Sequence, residues 1–300
     1  MIQEDLYLKV IEHNNICYSC DMLRLKCYMS YETYSKLNYF VLTYYPKHIK
    51  RYWESDKISD FKYNYAISLD EENNYSFYFG FSHNNERTDK NVSFDLYNFT
   101  IEFNPNKVRD FSLLRHILNL SSNWLLRSFD IAFDLKLNIR DIIFNQGRKH
   151  KVEIIKNGYD DLTYSIGGRG EGHIKIYNKK IESNLDINYD LTRVEVTRCF
   201  DDFPIKNMRI FDYGSEFPEL YLNKYLYSFA DYKDKTLMTC VFAVQSGYSL
   251  KDLSRRYQER VSKLFEGGCK IRFDRKSATQ AISQVIYHYF VNNNSMQIIV

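Results

Sequence analysis

The chain has 300 residues and a formal net charge of +3, a length that accommodates two average domains with a core stable without crosslinks. This mild charge excludes a protein that coats nucleic acid non-specifically, so any nucleic-acid contact must come from local basic patches. No run of about eighteen apolar residues and no basic-then-apolar leader is present, and we therefore expect a cytoplasmic protein without a membrane partner.

Six cysteines raise the question of a metal site or a disulfide. Cys17 and Cys20 have the spacing of a zinc-binding pair, but no second pair of this kind follows in the sequence. We therefore expect reduced thiols with structural roles, and the sequence leaves any further role of Cys17 and Cys20 open.

The first third of the chain is predicted to combine strands with one helix. Residues 22–28 alternate between apolar and polar side chains, which predicts a β-strand. Ser30 is a favourable helix N-cap, and apolar residues recur at helical spacing as far as Tyr44, before Pro46 ends the predicted helix. Between residues 63 and 104, short aromatic segments separated by Asn-rich turns predict antiparallel hairpins.

The remainder of the chain is predicted to add a helix near the middle and several near the end. Asn106 is expected to open a helix whose apolar side packs on the sheet, which leaves the opposite side of the sheet free for a substrate. After about residue 203 the apolar pattern becomes helical, over residues 219–232 and 236–246. A near capping box at residues 249–252 introduces another amphipathic helix.

These patterns together predict an α+β fold. We expect an antiparallel β-sheet domain with helices packed on one face, followed by a mostly helical C-terminal region. The predicted boundary separates a strand-rich domain at residues 1–202 from a helical region at residues 203–300.

One predicted strand, residues 172–180, has an unusual polar side. Its isoleucines fall on one face, while His173, Lys175, Tyr177 and Lys179 fall on the other. A purely structural strand also alternates, but it usually carries neutral polar groups on its outer side. This strand instead places a phenol between two amines.

Two further predicted strands divide their side chains in the same way. In one, Asp130 and Asp134 share the polar face; in the other, Arg193 and Glu195 do so. If the three strands are neighbours in one sheet, its polar face combines oxygen ligands for Mg²⁺ or Mn²⁺, a hydroxyl nucleophile and cations for a phosphate.

The succession of these segments resembles the replication initiation factors of rolling-circle plasmids, whose relatives include relaxases of some conjugative elements. The likeness covers about residues 99–200 and rests on residues 130–134, 163–167, 167–171, 174–182 and 192–195. Where family members often carry a serine after the basic turn, this chain has Gly170 and Glu171. The resemblance implies a site-specific DNA endonuclease and strand transferase, with residues 1–202 as the nicking and DNA-binding domain.

The resemblance also implies a tyrosine that becomes covalently joined to the 5′ end of the nicked strand, and it places this nucleophile at Tyr177. A Mg²⁺ or Mn²⁺ ion on Asp130, Asp134 and Glu195 would polarise the scissile phosphate. The predicted phosphate and DNA contacts are Arg169, Lys175, Lys179 and Arg193. Additional candidates are Glu102 and His173 for the metal, and Arg255 and Arg256 for an origin duplex.

Two alternatives stay open at this stage. A relaxase of a conjugative element would use the same chemistry. A non-catalytic module for single-stranded nucleic acid would use the same sheet, with Asp130 and Asp134 paired to Lys175 or Arg193. The expected partner is DNA, both single-stranded and as an origin duplex, and the sequence leaves a host helicase and a homodimer open.

Overall fold

The computed structural model describes residues 11–45, 49–51, 65–68, 75–82, 96–108, 111–144, 152–156, 161–168, 170, 172–210, 212–214, 217–222, 234–245, 248, 250–266 and 269–291. None of the helices in these ranges has the length and apolarity that a membrane crossing requires.

The elements are numbered here in chain order. The strands are β1 Ile11–His13, β2 Ile16–Ser30, β3 Ile49–Arg51, β4 Tyr65–Ser68, β5 Tyr75–Ser82, β6 Leu96–Phe103, β7 Leu125–Leu135, β8 Ile142–Phe144, β9 Val152–Lys156, β10 Leu162–Ile166, β11 Ile174–Asn178, β12 Thr192–Pro204, β13 Leu220–Leu222 and β14 Cys269–Lys270. The helices are α1 Tyr31–Tyr44, α2 Phe111–Leu118, α3 Lys179–Glu182, α4 Lys235–Gln245, α5 Arg255–Glu266 and α6 Arg275–Ile286. A π-helical turn at Tyr287–Val291 extends α6.

One large antiparallel sheet organises the described part of the chain. Its strand order is β3-β4-β5-β6-β2-β7-β12-β11-β10-β9, and β1 pairs with β2 beside this path. The consecutive neighbours β4, β5 and β6 form the hairpins that the aromatic segments predict. The predicted strand at residues 22–28 lies inside β2, which runs through the centre of the sheet.

The two faces of this sheet differ sharply in chemistry. On the central strands β2 and β7, the alternate side chains Tyr18, Leu23, Phe129 and Phe133 are fully buried. Tyr18 and Phe133 pack edge to face, with ring centroids 5.5 Å apart. Most intervening positions, such as Ser128, Asp130 and Asp134 on β7, carry polar or charged side chains, so the period of two creates an apolar core face and a polar face.

Helix α1 begins where the sequence predicts. The hydroxyl oxygen of Ser30 accepts a hydrogen bond from the Thr33 backbone N–H at 3.2 Å, which satisfies one amide in the first turn. Leu37 and Val41 form the buried side of the helix. The predicted terminator Pro46 lies outside the described residues.

The prediction that a helix opens at Asn106 is wrong. The Asn106 backbone N–H donates to Oδ1 of Asn104 at 2.9 Å, and its side-chain amide donates to the Cys20 carbonyl at 2.9 Å. These contacts hold a turn, and the described helix α2 begins only at Phe111. Asparagine side chains compete with helical hydrogen bonds in this way.

Helix α6 covers the apolar face of the sheet. Asp274 caps its first turn by accepting hydrogen bonds at 2.7 Å from the backbone N–H and the hydroxyl of Ser277. The Asp274 N–H in turn donates to the Tyr18 hydroxyl at 2.8 Å, which ties the helix start to β2. Ala278 and Ile282 belong to the same hydrophobic core as the sheet. This helix is not among the elements predicted from the sequence.

A second, smaller sheet has the order β14-β13-β8. The helix predicted over residues 219–232 is wrong at its start, because Tyr221 lies in a strand opposite Ile143 and Lys270. Pairing on both edges outweighs the local helical pattern, and residues 223–233 lie outside the described ranges. Helices α4 and α5 occur as predicted, and their Val241 and Val261 share a hydrophobic cluster with Tyr221.

The predicted fold class is confirmed: the protein is α+β, with a large antiparallel sheet, helices packed against it and a mostly helical C-terminal region. The predicted domain boundary after residue 202 falls within β12, and described residues on both sides of it share one core. The division into two domains stays a prediction.

Candidate active site

The strands that carry the predicted site are neighbours in the large sheet. β12 lies between β7 and β11, with Arg193 directly opposite Asp134 on β7. On its other edge, Arg193 is opposite Tyr177, and Glu195 is opposite Lys175. The expected convergence of acids, cations and phenol is therefore present. This side of the sheet is the polar face, and it includes Asp21, Arg24, Glu102, Asp130, Asp134, Lys175, Tyr177, Arg193 and Glu195.

Tyr177 and Glu195 are in direct contact, because the Tyr177 hydroxyl donates a hydrogen bond to Oε1 of Glu195. Burial and the negative charge of Glu195 raise the pKa of Tyr177 well above its ordinary range. Burial and the nearby charge of Asp21 raise the pKa of Glu195 to about 7. Near neutral pH, the pair thus joins a phenol that keeps its proton to a carboxyl group that readily exchanges one.

Tyr177 is enclosed, with an exposed fraction of 4%. The Lys175 ammonium lies 4.4 Å from the centroid of its ring, and the Lys179 ammonium lies 5.7 Å from it. Lys179 is itself buried and bonds to Oε2 of Glu182 at 2.7 Å. The sequence predicts a phenol that faces an open substrate side. The structure corrects this exposure: the ammonium groups of Lys175 and Lys179 lie against the ring, and Tyr177 is buried.

Arg193 connects two carboxylates beside Tyr177. Its Nε and Nη2 donate to the two oxygens of Asp134 at 2.6 and 2.7 Å, and its Nη1 donates to Oδ1 of Asp21 at 2.9 Å. The same Asp21 oxygen accepts from the Asn104 amide at 3.2 Å. Burial alone lowers the pKa of Arg193, but its bonds to Asp134 and the charges of both aspartates outweigh this and raise it. The guanidinium is therefore charged and fixed in orientation.

Arg24 makes a matching connection farther along the polar face. Its Nη1 and Nη2 donate to the two oxygens of Asp130 at 3.2 and 3.1 Å. Its Nε lies 3.0 Å from Oε2 of Glu102, and Nη1 also reaches the Ser128 hydroxyl at 3.2 Å. Glu102, a candidate from the sequence, is thus part of the polar face through an arginine.

The predicted metal ligands all have other partners. Asp130 and Asp134 each accept a pair of hydrogen bonds from an arginine, and Glu195 accepts the tyrosine hydroxyl. Across the described ranges, no three His, Cys, Asp or Glu side chains are grouped so that they could hold a metal ion. This arrangement does not fit a three-carboxylate site for Mg²⁺ or Mn²⁺, and the metal requirement stays a prediction from the sequence.

Comparisons with known proteins give a structural likeness but no sequence match. No protein-family model and no curated protein matches the chain. Among solved structures, the rolling circle replication initiator protein from Geobacillus stearothermophilus aligns with 87% of this chain and 99% of its own, at 11% sequence identity and a TM-score of 0.36. A likeness at this level establishes neither membership of a family nor an activity.

The remaining predicted site residues lie in different settings. His173 is within hydrogen-bond distance of the Ser165 hydroxyl on the neighbouring strand, with Nε2 and Oγ 2.9 Å apart. Arg169 lies outside the described residues. Arg255 and Arg256 are exposed on α5, which packs against the small-sheet cluster. Their proposed contact with an origin duplex stays a prediction.

Asp21 and Arg24 are polar-face residues that are not among the sites predicted from the sequence. Arg24 carried a usable signal, because it occupies a polar position in the alternating segment that predicts β2. Asp21 carried none, because the register of β2 against β7 shifts between Cys20 and Met22. Such a bulge breaks the period of two, so alternation does not reveal which face Asp21 joins.

Cys17 and Cys20, near the start of β2, are free thiols. Burial raises the pKa of Cys17 and, more strongly, that of Cys20. The Cys20 thiol donates to the Met22 carbonyl at 3.6 Å. Both thiols therefore keep their protons at neutral pH.

Proposed function

We propose that this protein is a replication initiator that nicks one DNA strand at an origin and holds its 5′ end as a phosphotyrosyl linkage on Tyr177 during rolling-circle replication. The observation that carries the proposal is the Tyr177–Glu195 hydrogen bond, which joins a nucleophile to a proton acceptor. Lys175, Lys179 and Arg193 surround this pair with positive charge. A conjugative relaxase would use the same chemistry, and the sequence of the cleaved site distinguishes the two.

The proposed step transfers a phosphoryl group from a DNA 3′ oxygen to tyrosine. The Tyr177 oxygen bonds to phosphorus as its proton passes to Oε1 of Glu195, and the bond from phosphorus to the 3′ oxygen breaks. Glu195 returns the proton to that 3′ oxygen, which leaves a 3′ hydroxyl and a 5′-phosphotyrosyl end. A carboxyl group with its pKa raised to about 7 can accept and return a proton at neutral pH. The phosphotyrosine retains the energy of the broken linkage, so the reverse step rejoins the strand.

Binding of DNA has to uncover Tyr177, because lysine side chains close off its ring. The Lys175 ammonium rests on the face of the ring. A phosphate oxygen is a stronger partner for an ammonium group than an aromatic face is. We therefore infer that an incoming phosphate draws Lys175 away from the ring and exposes the hydroxyl. Lys179, Arg193 and Arg169 are the other proposed phosphate contacts.

The test compares wild type with Tyr177→Phe for the formation of a covalent protein–DNA adduct. The substrate is a supercoiled plasmid that carries the DNA flanking the coding sequence, and the products are separated on a denaturing gel. We expect wild type to relax the plasmid and remain attached to a 5′ end, and Tyr177→Phe to bind DNA without forming the adduct. Tyr189→Phe, at an exposed tyrosine, is the matched control and should react like wild type. An undiminished adduct with Tyr177→Phe would disprove the assignment of the nucleophile.

A non-catalytic module for single-stranded nucleic acid is the second candidate, and the ion pairs of the polar face favour it. Asp134 is paired with Arg193, the arrangement expected of a structural acid, and Tyr177 is buried. Under this alternative, wild type shifts a single-stranded oligonucleotide on a native gel but relaxes no plasmid and forms no adduct.

A further inference from the structure

Acids and arginines alternate across the polar face, over four neighbouring strands. Each arginine binds two carboxylates from different strands, and one of the four carboxylates, Asp21, lies at the register shift in β2. We name these groups the arginine bridges. The first consists of Glu102, Arg24 and Asp130, and the second consists of Asp21, Arg193 and Asp134.

The bridges supply the counter-charge that these shielded acids need. In the second bridge, the exposed fractions of the side chains are 12% for Arg193, 18% for Asp134 and 19% for Asp21. A carboxylate with so little water around it is stable only beside a positive charge that also satisfies its hydrogen bonds. Arg193 meets both needs, since two of its nitrogens match the two oxygens of Asp134.

A divalent cation would compete directly with these guanidinium groups. Mg²⁺ and related ions bind carboxylate oxygens at about 2.0–2.5 Å. Both oxygens of Asp134 already face Arg193 at 2.6 and 2.7 Å, and both oxygens of Asp130 face Arg24. A metal ion on any of these oxygens would lie against a positive guanidinium, so metal binding requires that the arginines move away.

Arg193 also has capacity left for a ligand. Its described hydrogen bonds occupy one N–H each on Nε, Nη1 and Nη2, and a guanidinium has five such groups. Further N–H groups therefore remain on Nη1 and Nη2, on the strand directly beside Tyr177. Such groups match the oxygens of a phosphate diester.

We propose that Arg24 and Arg193 are the permanent counter-ions of the polar face, and that Arg193, rather than a divalent cation, binds the phosphate diester that Tyr177 attacks. The counter-ion role stands on the arginine bridges alone. The role at the phosphate rests on the proposed function as well. The site therefore binds and cleaves its strand without Mg²⁺ or Mn²⁺.

The first test measures metal binding without DNA. Mn²⁺ is titrated into the intact wild-type chain and into Asp134→Asn, and the free ion is followed by electron paramagnetic resonance up to about 1 mM, the range of weak biological sites. We expect the two titrations to coincide, since Asp134 is committed to Arg193. A site present in wild type and lost in Asp134→Asn overturns the counter-ion role.

A gain-of-binding variant makes the same test in the opposite direction. Arg193→Gln leaves Asp21 and Asp134 without their guanidinium, and we expect its affinity for Mn²⁺ to rise at least about 10-fold over wild type. Arg255→Gln removes an arginine that is 93% exposed on α5, and it should leave the affinity unchanged. A folded Arg193→Gln with no gain contradicts the proposal. If this variant does not fold, the comparison of wild type with Asp134→Asn still decides it.

The second test uses covalent capture of DNA in EDTA and in Mg²⁺. We expect the yield of adduct to differ by less than about 2-fold between the two, whereas a metal-dependent site would lose about 100-fold or more in EDTA. If the adduct is lost in EDTA and returns when Mg²⁺ is added, the role of Arg193 is overturned and the proposed function is left intact. Absence of the adduct in both conditions overturns the proposed function, while the Mn²⁺ titrations still decide the counter-ion role.

Discussion

At the scale of single residues, the carboxyl group of Glu195 is subject to opposing influences. Burial and the charge of Asp21 favour its protonated form, whereas the Tyr177 hydroxyl, Lys175 and Arg193 favour the carboxylate. Burial and the charge of Asp21 outweigh the other influences and raise the pKa of Glu195 to about 7, above the value of about 4.3 for an exposed glutamate. Folding therefore favours the protonated form of Glu195.

Replacement of Glu195 by glutamine should change how stability depends on pH. Because the folded-state pKa lies above the unfolded one, the contribution of Glu195 is fully present below about pH 4.3 and is lost as pH rises through about 7. The glutamine has no such loss. We expect the free energy of unfolding of Glu195→Gln, relative to wild type, to rise by about 1–3 kcal/mol between about pH 5 and pH 8. Urea unfolding at the two pH values measures this.

Glu182→Gln is the control for this titration. Burial favours a higher pKa for Glu182, but hydrogen bonds from Lys179 and Ser183 outweigh it and hold the pKa below its ordinary value. Glu182 is therefore ionised in both states throughout this pH window, and its variant should show a constant difference from wild type. A constant difference for Glu195→Gln as well would mean that Glu195 does not titrate near neutrality.

Loss of one arginine bridge should cost far more stability than loss of an exposed ion pair. Arg24→Met leaves Asp130 and Glu102, whose side chains are 15% and 16% exposed, without their shared cation. We expect the free energy of unfolding to fall by about 2–4 kcal/mol. Lys36→Met breaks the exposed pair with Glu32 on α1 and should leave the free energy of unfolding close to that of wild type. If urea unfolding gives the same loss of unfolding free energy for both variants, the acids of the bridge are not shielded from water.

At the scale of elements, departures from regular geometry determine which side chains reach the polar face. The register shift in β2 between Cys20 and Met22 brings Asp21 to Arg193. A bulge in β12 between Cys199 and Phe203 contains Asp202, whose φ of 48° lies in the left-handed region. Such irregularities lie on strands whose other residues follow the period of two. The regular parts build the sheet, and the irregular parts add residues to its polar face.

The N-cap of α6 offers a test of how firmly this helix is attached. Asp274→Ala removes an acceptor that holds two groups of Ser277, and we expect the free energy of unfolding to fall by about 1–2 kcal/mol. The conservative Asp274→Asn keeps a side-chain acceptor and should lose less than half of that amount. Urea unfolding of both variants provides the comparison, and an Asp274→Ala chain as stable as wild type would show that the cap contributes nothing.

At the scale of the whole molecule, the last described helix closes the core of the sheet. Ile282 and Val285 of α6 are buried in the same cluster as Tyr18 and Phe133, which lie about half the chain or more away in sequence. Burial of this kind supplies most of the stability of a domain. The apolar face needs the C-terminal helix, while the polar face carries the candidate site.

Removal of α6 should therefore prevent cooperative folding. A chain that ends at residue 274 exposes the apolar face, and we expect it to aggregate or to lack a sigmoidal unfolding transition by circular dichroism. A chain of residues 1–202 should behave in the same way, although it corresponds to the predicted strand-rich domain. A cooperative transition with the wild-type sheet signal in either chain would show that a separate domain folds without α6.

Much of the secondary structure and part of the site were predictable from local patterns. Ser30 signals the start of α1, and the alternation around Tyr177 assigns its polar face correctly. The pairing of Asp130 with Arg24 was not predictable, because the two residues lie 106 positions apart and several cations compete for each acid. Helix α6 is absent from the predicted elements, although Asp274 is a favourable N-cap at its start.

The sequence by itself determined which side chains share a face, since the geometry of a strand enforces a period of two within each segment. It therefore located the acids, the amines and the phenol on one side of a sheet. Only the tertiary structure decided their partners, their burial and hence their protonation. These depend on which distant strands come side by side and on how much water remains between them. That is why the sequence did not show that Asp130 and Asp134 pair with arginines, or that the phenol of Tyr177 is buried.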